Sequence, residues 1–432
     1  MYCARVVNRW PSKDCVSLSD NDIEAPPSPP VKWLNLGLLS LASLFALVLW
    51  FSASAVVPQL TAEWHLSGVQ QSWLTMSVQI GFVIGALVSA AFNLADRISP
   101  PRLVAVSALL GALFNGAIPF LDAGATPTIL FRFLTGVSLA GVYPPGMKIV
   151  ASWTRAERGF AIGLLIGALS IGSAIPHLFN ALPIFGEGGM PPWRGVLYAA
   201  SAAAGLAAII SGLFVRTGPY LHKAVAFHWR HASEVFTNRP VRLANFGYLG
   251  HMWELYAMWA WVPIFLLASY EQAGWSLVSA RVAGFAVIAI GGAGCVIAGL
   301  FADRVGRTTI TIWSLAISGV CCLIAGLFFD SPIVITIVCL VWGFAVVADS
   351  AQFSAAVSEL GDPRYMGTTL TMQTSTGFLL TMITIHMVPP IVDWIGWRWA
   401  FLVLAPGPVF GIWGMARLRR LPEATKMASG NR

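Results

Sequence analysis

The sequence predicts an all-α membrane protein of twelve transmembrane helices arranged as two six-helix parallel repeats. Three observations predict it. Of 432 residues, 57% are hydrophobic and 10% charged, with a mean hydropathy of +0.73, whereas a soluble chain carries about 25% charged residues. So little polar surface cannot cover the chain in water. The apolar residues fall into stretches of about 20, the length of a helix that crosses hydrocarbon, starting near residues 34, 69, 103, 127, 159, 195, 242, 278, 308, 332, 367 and 399. Finally, the chain repeats itself. Leu94-Ala-Asp-Arg97 matches Phe301-Ala-Asp-Arg304, and Gly136 matches Gly343, both 207 residues on; Trp193-Arg194 returns as Trp397-Arg398 after 204. A shared offset of this size marks two parallel repeats.

Taken in order, residues 1–32 mix both charge signs and end in Ala25-Pro-Pro-Ser-Pro-Pro30. They have no apolar core or small-residue cleavage site, so they read as a disordered cytoplasmic tail rather than a signal peptide. Residues 33–215 hold six spans, 216–240 form a basic cytoplasmic linker, 241–420 hold six more spans, and 421–432 form a second cytoplasmic tail. The basic residues test this count. Alternate loops place 22 of the 26 Lys and Arg on one side and only Arg194, Arg281 and Arg398 on the other, with Arg132 inside a span. Such asymmetry puts both termini and the linker in the cytoplasm, in the inner (plasma) membrane of a cell.

The same arithmetic excludes other classes. The net charge of +7 lies in loops, where membrane orientation explains it, so no nucleic-acid partner is expected. Cys295, Cys321, Cys322 and Cys339 lie in apolar spans without CxxC spacing, so neither a disulfide framework nor a metal site is expected. The chain has no phosphate-binding loop and no cofactor motif, so an ion gradient must supply the energy. His251-Met-Trp-Glu254 lacks the second His of a metalloprotease helix, and no nucleophile stands in order with a base. No enzyme is expected. A sensor on the same fold would carry an enlarged cytoplasmic domain. The expected partners are a small-molecule substrate, protons and the lipid bilayer, with the chain a monomer.

At Gly299-Leu-Phe-Ala-Asp-Arg-Val-Gly-Arg307 the sequence resembles the major facilitator superfamily, whose loop signature after spans two and eight has this Gly-x-x-x-Asp-Arg-x-Gly-Arg form. The first copy, Phe92-Asn-Leu-Ala-Asp-Arg-Ile-Ser-Pro-Pro-Arg102, keeps the Asp-Arg and a later Arg without the glycines. Arg132-x-x-x-Gly136 matches a second signature, and Gly163-x-x-x-Gly167 with Gly172 meets half of the antiporter signature, lacking its Gly-Pro pair. Gly247 to Trp261 is similar to bacterial proteins filed near the nitrate/nitrite and cyanate porters, although span five lacks the Asn-containing glycine signature tied to nitrate. The resemblance implies alternating access, in which the two halves rock about a midplane site.

Charge inside a span costs about 2.5–3.5 kcal/mol on insertion scales, so each such residue is a functional candidate. His251 and Glu254, three residues apart on span seven, lie near one face and can exchange a proton; a permanently bonded pair that staples span seven to a neighbour is the competing reading. Asp349 in span ten is a third proton-coupling candidate, or a counter-ion for Arg132, or part of a gate. Arg132 can bind an anion bidentately or bond to helix ends. Trp50, Gln79, Asn115, Tyr143, Tyr256, Trp261 and Gln373 are the remaining substrate-binding candidates, each of which could instead be a packing residue. Asp96, Arg97, Asp303, Arg304 and Arg307 form the cytoplasmic gate, whose ion pairs and helix-end contacts would hold that face shut. The expected function is proton-coupled uptake of a small organic or inorganic anion. Proton-antiport efflux of a small amphipathic molecule is the alternative.

Overall fold

The computed structural model describes residues 28–122, 124–154, 158–182, 193–221, 232–362 and 365–431. Most of the proposed first tail and the centre of the linker therefore lie outside the described residues. Among the described residues, twelve helices are long and apolar enough to cross a membrane: Pro29–Leu47, Gly68–Ala91, Pro100–Phe120, Ala125–Trp153, Gly159–Phe179, Trp193–Leu213, Arg239–Gln272, Leu277–Val305, Arg307–Phe328, Pro332–Leu360, Met366–Ile395 and Trp397–Arg419. They are numbered here as spans one to twelve. Span one begins inside the stretch assigned to the tail, because Pro29 and Pro30 occupy the first turn, where a missing N–H costs nothing.

Packing repeats between the halves. Span two lies on span four and span three on span six; span eight likewise lies on span ten and span nine on span twelve. The closest of these approaches needs glycine. A methyl group on Gly136 would stand 2.0 Å from the Val78 carbonyl oxygen, and one on its repeat partner Gly343 1.8 Å from that of Val287. The halves meet along two seams, span five on span eight and span two on span eleven.

Spans four and ten are broken near their middles, and span one continues past a break. Span one ends as an α-helix at Leu47, passes through turns and a 3-10 segment, and resumes at Val57–Trp64. Span four breaks after Leu139 and restarts at Tyr143, with Pro144 and Pro145 in its new first turn. Span ten breaks between Ala348 and Ser350, leaving Asp349 at the junction. Val142 and Asp349 are 207 residues apart, so these last two breaks obey the repeat. Broken helices free backbone groups that must be satisfied inside the protein.

The second tail is not free of the bundle. Pro422–Gly430 forms a 3-10 segment that buries Ala424 and Met427, and Ala428 N–H donates to Glu359 Oε2 at 3.2 Å.

Candidate functional site

Between the halves lies a cavity of about 90 Å³, below the 300–1,000 Å³ of pockets for drug-sized ligands. Its walls come from spans one, two, four, five, seven, ten and eleven. Span seven supplies a stripe: Tyr248, His251, Met252, Leu255, Tyr256 and Trp259 all face the cavity, at the spacing of one face of a helix. Trp50 packs on Phe82, Tyr256 and Phe378 with ring centroids 5.2, 5.8 and 5.4 Å away. Phe51 stacks on Tyr256 at 6.3 Å and meets Trp259 edge-on at 6.0 Å.

Among the described residues, His251 is the one lining this cavity that can carry a positive charge. Its Nδ1 lies 2.9 Å from Asp349 Oδ1, out of line for a hydrogen bond, so the contact is electrostatic; its Nε2 lies 2.9 Å from Ser350 Oγ. Asp349 and Ser350 occupy the break of span ten. The break thus delivers a carboxylate and a hydroxyl to the two nitrogens of one imidazole, with His251 on the cavity wall and Asp349 behind it.

Glu254 takes a different direction. It is fully buried and accepts from Ser318 Oγ at 3.0 Å, Cys322 Sγ at 3.1 Å and Trp342 Nε1, on spans nine and ten. The spacing of three residues suggested that His251 and Glu254 exchange a proton with each other; in the structure each is instead engaged by different groups. Three residues of helix leave a rotation of about 60°, enough to aim His251 at the cavity and Glu254 at the helices behind.

Arg132 is also fully buried and away from the cavity lining. Its guanidinium donates to the carbonyl oxygens of Leu49 at 2.7 Å, Leu74 at 3.3 Å and Trp50, to Ser52 Oγ at 3.0 Å and to Asn115 Oδ1 at 3.3 Å. The Leu49 and Trp50 carbonyls are those released where span one unwinds. Among the described residues none of these acceptors is a carboxylate, so Asp349 is the neighbour of His251 and not a counter-ion to Arg132. Asn115 completes the group, bonding to Ser52 Oγ at 2.7 Å and to the Leu197 carbonyl at 3.0 Å.

Of the other substrate-binding candidates, Trp50, Tyr143 and Tyr256 line the cavity. Gln79 is buried at the seam of spans two and eleven, where its Oε1 accepts from Thr381 at 2.7 Å. Trp261 donates to the Ile385 carbonyl at 3.0 Å, and Gln373 is buried with no partner for its amide among the described residues. Sequence reasoning passed over Trp259, Phe82, Phe378 and Ser350; the spacing of the span-seven stripe was the signal available for Trp259.

At the end of the bundle that carries the repeated loop motif, Lys148 pairs with Asp96 at 2.5 Å. Arg307 grips Glu359 at 2.7 Å through both Nε and Nη2, Gln352 at 2.8 Å and Asp303 at 3.1 Å. The Asp303 carboxylate lies beside Gly159 in the first turn of span five, the positive end of that helix. Asp303 therefore touches the opposite half. Arg97 and Arg304 are exposed.

The sequence model of the Major Facilitator Superfamily matches residues 39–385. The chain belongs to this superfamily. It is 27% identical over 255 residues to an MFS-type transporter of Gibberella moniliformis, covering 57% of each chain. It is 28% identical to the 4-hydroxybenzoate transporter PcaK of Pseudomonas aeruginosa, covering 39% of each, and 24% identical to the benzoate transport protein of Acinetobacter baylyi, covering 36% of this chain and 35% of that one. These matches span between about a third and somewhat over half of the relatives' lengths. Among solved structures, the proton:xylose symporter XylE bound to 6-bromo-6-deoxy-D-glucose superposes with a TM-score of 0.69 at 14% identity, over 90% of this chain and 96% of that one. At that identity the likeness establishes the fold, and the family with its membrane-crossing helices makes this a multi-pass membrane protein.

Proposed function

We propose that the protein takes up a small organic anion together with protons, and that His251 with Asp349 carries the proton. The observation behind this reading is the imidazole on the cavity wall with a carboxylate 2.9 Å behind it. An anion that enters beside Asp349 brings a second negative charge into a water-poor site, so its binding favours the protonated pair. By linkage, protonation favours the anion equally. Uptake in company with a proton follows. The names of the relatives, which refer to benzoate and 4-hydroxybenzoate, support an organic anion. The missing Gly-Pro pair in span five supports uptake over exchange. The excess of Lys and Arg on one set of loops supports both termini in the cytoplasm of a cell whose inner membrane holds the protein. In this reading the ion pairs at the motif end, together with Asp303 at the start of span five, hold the cytoplasmic side closed while the cavity opens outward.

The test is transport into proteoliposomes that enclose a pH dye, with a panel of small organic acids. Wild type should acidify the lumen when a substrate gradient is imposed. His251→Gln should bind substrate yet move no protons, and Glu254→Gln should couple normally. Normal coupling by His251→Gln would refute the assignment.

A further inference from the structure

Two tryptophans in the cavity wall are set apart from the other buried ones. Trp153, Trp193, Trp261 and Trp342 all donate their indole N–H to an acceptor inside the protein. Trp50 and Trp259, which are 2% and 4% exposed, have no acceptor for theirs among the described residues. Both line the cavity, and both pack on Tyr256, at 5.8 and 5.5 Å. A buried donor without an acceptor is a standing cost, and an indole can only donate. Whatever relieves it must bring acceptor atoms, which rules out an ammonium group at this place.

We propose that the indole N–H groups of Trp50 and Trp259 receive the oxygen atoms of a substrate carboxylate, and that the substrate is a single flat ring bearing that carboxylate. This rests on the reading that the cavity takes an organic anion, and deepens it. With Arg132 committed to backbone carbonyls, the cavity offers the anion neutral donors beside His251 and no fixed cation. Neutral N–H groups in a dry site stabilise an oxyanion well. The ring requirement comes from the walls. Phe82 and Phe378 lie 4.9 Å apart and Tyr256 and Phe378 5.0 Å apart, so an entering group displaces ring-to-ring contacts. A flat aromatic ring restores those contacts with its own face and edge, and a puckered ring does not. Because Trp50 belongs to the first half and Trp259 to the second, a carboxylate held by both also ties the halves together.

The probe is radiolabelled benzoate, bound to the purified full chain in lipid nanodiscs and measured by equilibrium dialysis. Wild type should bind benzoate at least tenfold more tightly than cyclohexanecarboxylate or benzyl alcohol. Trp50→Phe and Trp259→Phe, which keep a ring and lose the N–H, should each weaken benzoate roughly tenfold. Should either variant fail to fold, wild type with nitrogen-15-labelled tryptophan answers the same question: two indole N–H resonances should move on adding benzoate. Unchanged affinity in folded variants, unmoved resonances, equal binding of cyclohexanecarboxylate, or no binding of benzoate by wild type would overturn the proposal. Tryptophan-dependent benzoate binding without proton movement would instead remove proton coupling and leave this inference standing.

Discussion

The first half of the molecule buries an arginine where its first, third and fourth spans meet, and the second half buries a glutamate where spans seven, nine and ten meet. The repeat makes these the same place. Cys339 stands 207 residues after Arg132, and Cys322, which donates to Glu254, stands 207 after Asn115, which accepts from Arg132. The sign of the buried charge follows from the backbone. Span one is broken, so the Trp50 carbonyl needs a donor and that of Leu49 is left with Ser52 alone, and a five-donor guanidinium serves both. Span seven runs as one helix from Arg239 to Gln272, and its one internal proline, Pro263, frees the carbonyl of Trp259 rather than one beside Glu254. There the neighbours offer Ser318, Cys322 and the Trp342 indole, all donors, and a carboxylate answers them. A buried charge in a membrane protein is thus as much a statement about its neighbours' unmet hydrogen bonds as about ligand.

The sharpest way to break this comparison is Arg132→Leu. It would strand the Trp50 carbonyl in a dry interior and take a donor from those of Leu49 and Leu74, and should cost about 3 kcal/mol, read as a large fall in thermal-unfolding temperature and in folded yield. If Arg132→Leu folds like wild type and loses only substrate affinity, the arginine serves ligand instead. Glu254→Gln is the milder counterpart, since the amide keeps one acceptor oxygen while turning an NH2 toward existing donors. A loss of about 1–3 kcal/mol is expected, with proton-coupled transport intact. The smallest effects belong to the opposite end of the bundle. There Arg194 holds Glu63 at 3.0 Å and Asp122 at 2.7 Å, while its repeat partner Arg398 pairs with Asp330. These groups are 40–66% exposed, so removing either arginine should cost less than about 1 kcal/mol. Differential scanning calorimetry should rank Arg194→Ala above Arg398→Ala because two carboxylates are released instead of one.

Much of the fold was legible because hydropathy and loop charge are properties of segments and survive small errors of register. The start of each structural span lies within a few residues of its expected position, and the repeat in sequence is the repeat in packing. The buried charges were legible too, as expensive residues in apolar surroundings. Their partners were not. Whether His251 meets Glu254 or Asp349 depends on about 60° of helix rotation and on a break in span ten, and neither leaves a mark in composition. Arg132 looked like an anion receptor because nothing in the residues around Leu49 announces that the helix unwinds there. The gating pairs lay between these cases: the motif located Asp96, Asp303 and Arg307, while Lys148 and Glu359, their ionic partners on spans four and ten, sit in stretches with no signature.

The corner contacts at the end opposite the loop motif have a consequence for how the chain can be built. Trp193 and Arg194 close on Glu63 and Asp122 without reaching past residue 194, and Arg398 and Gln272 close on Asp330 without reaching before residue 272. Each set is complete within its own six spans. A gene cut in the linker should therefore yield two polypeptides that each assemble their own corner, find one another in the bilayer through the glycine seam of spans five and eight, and restore transport when co-expressed. Two-part reporters could then be fused at the cut, turning the meeting of the fragments into a signal from living cells.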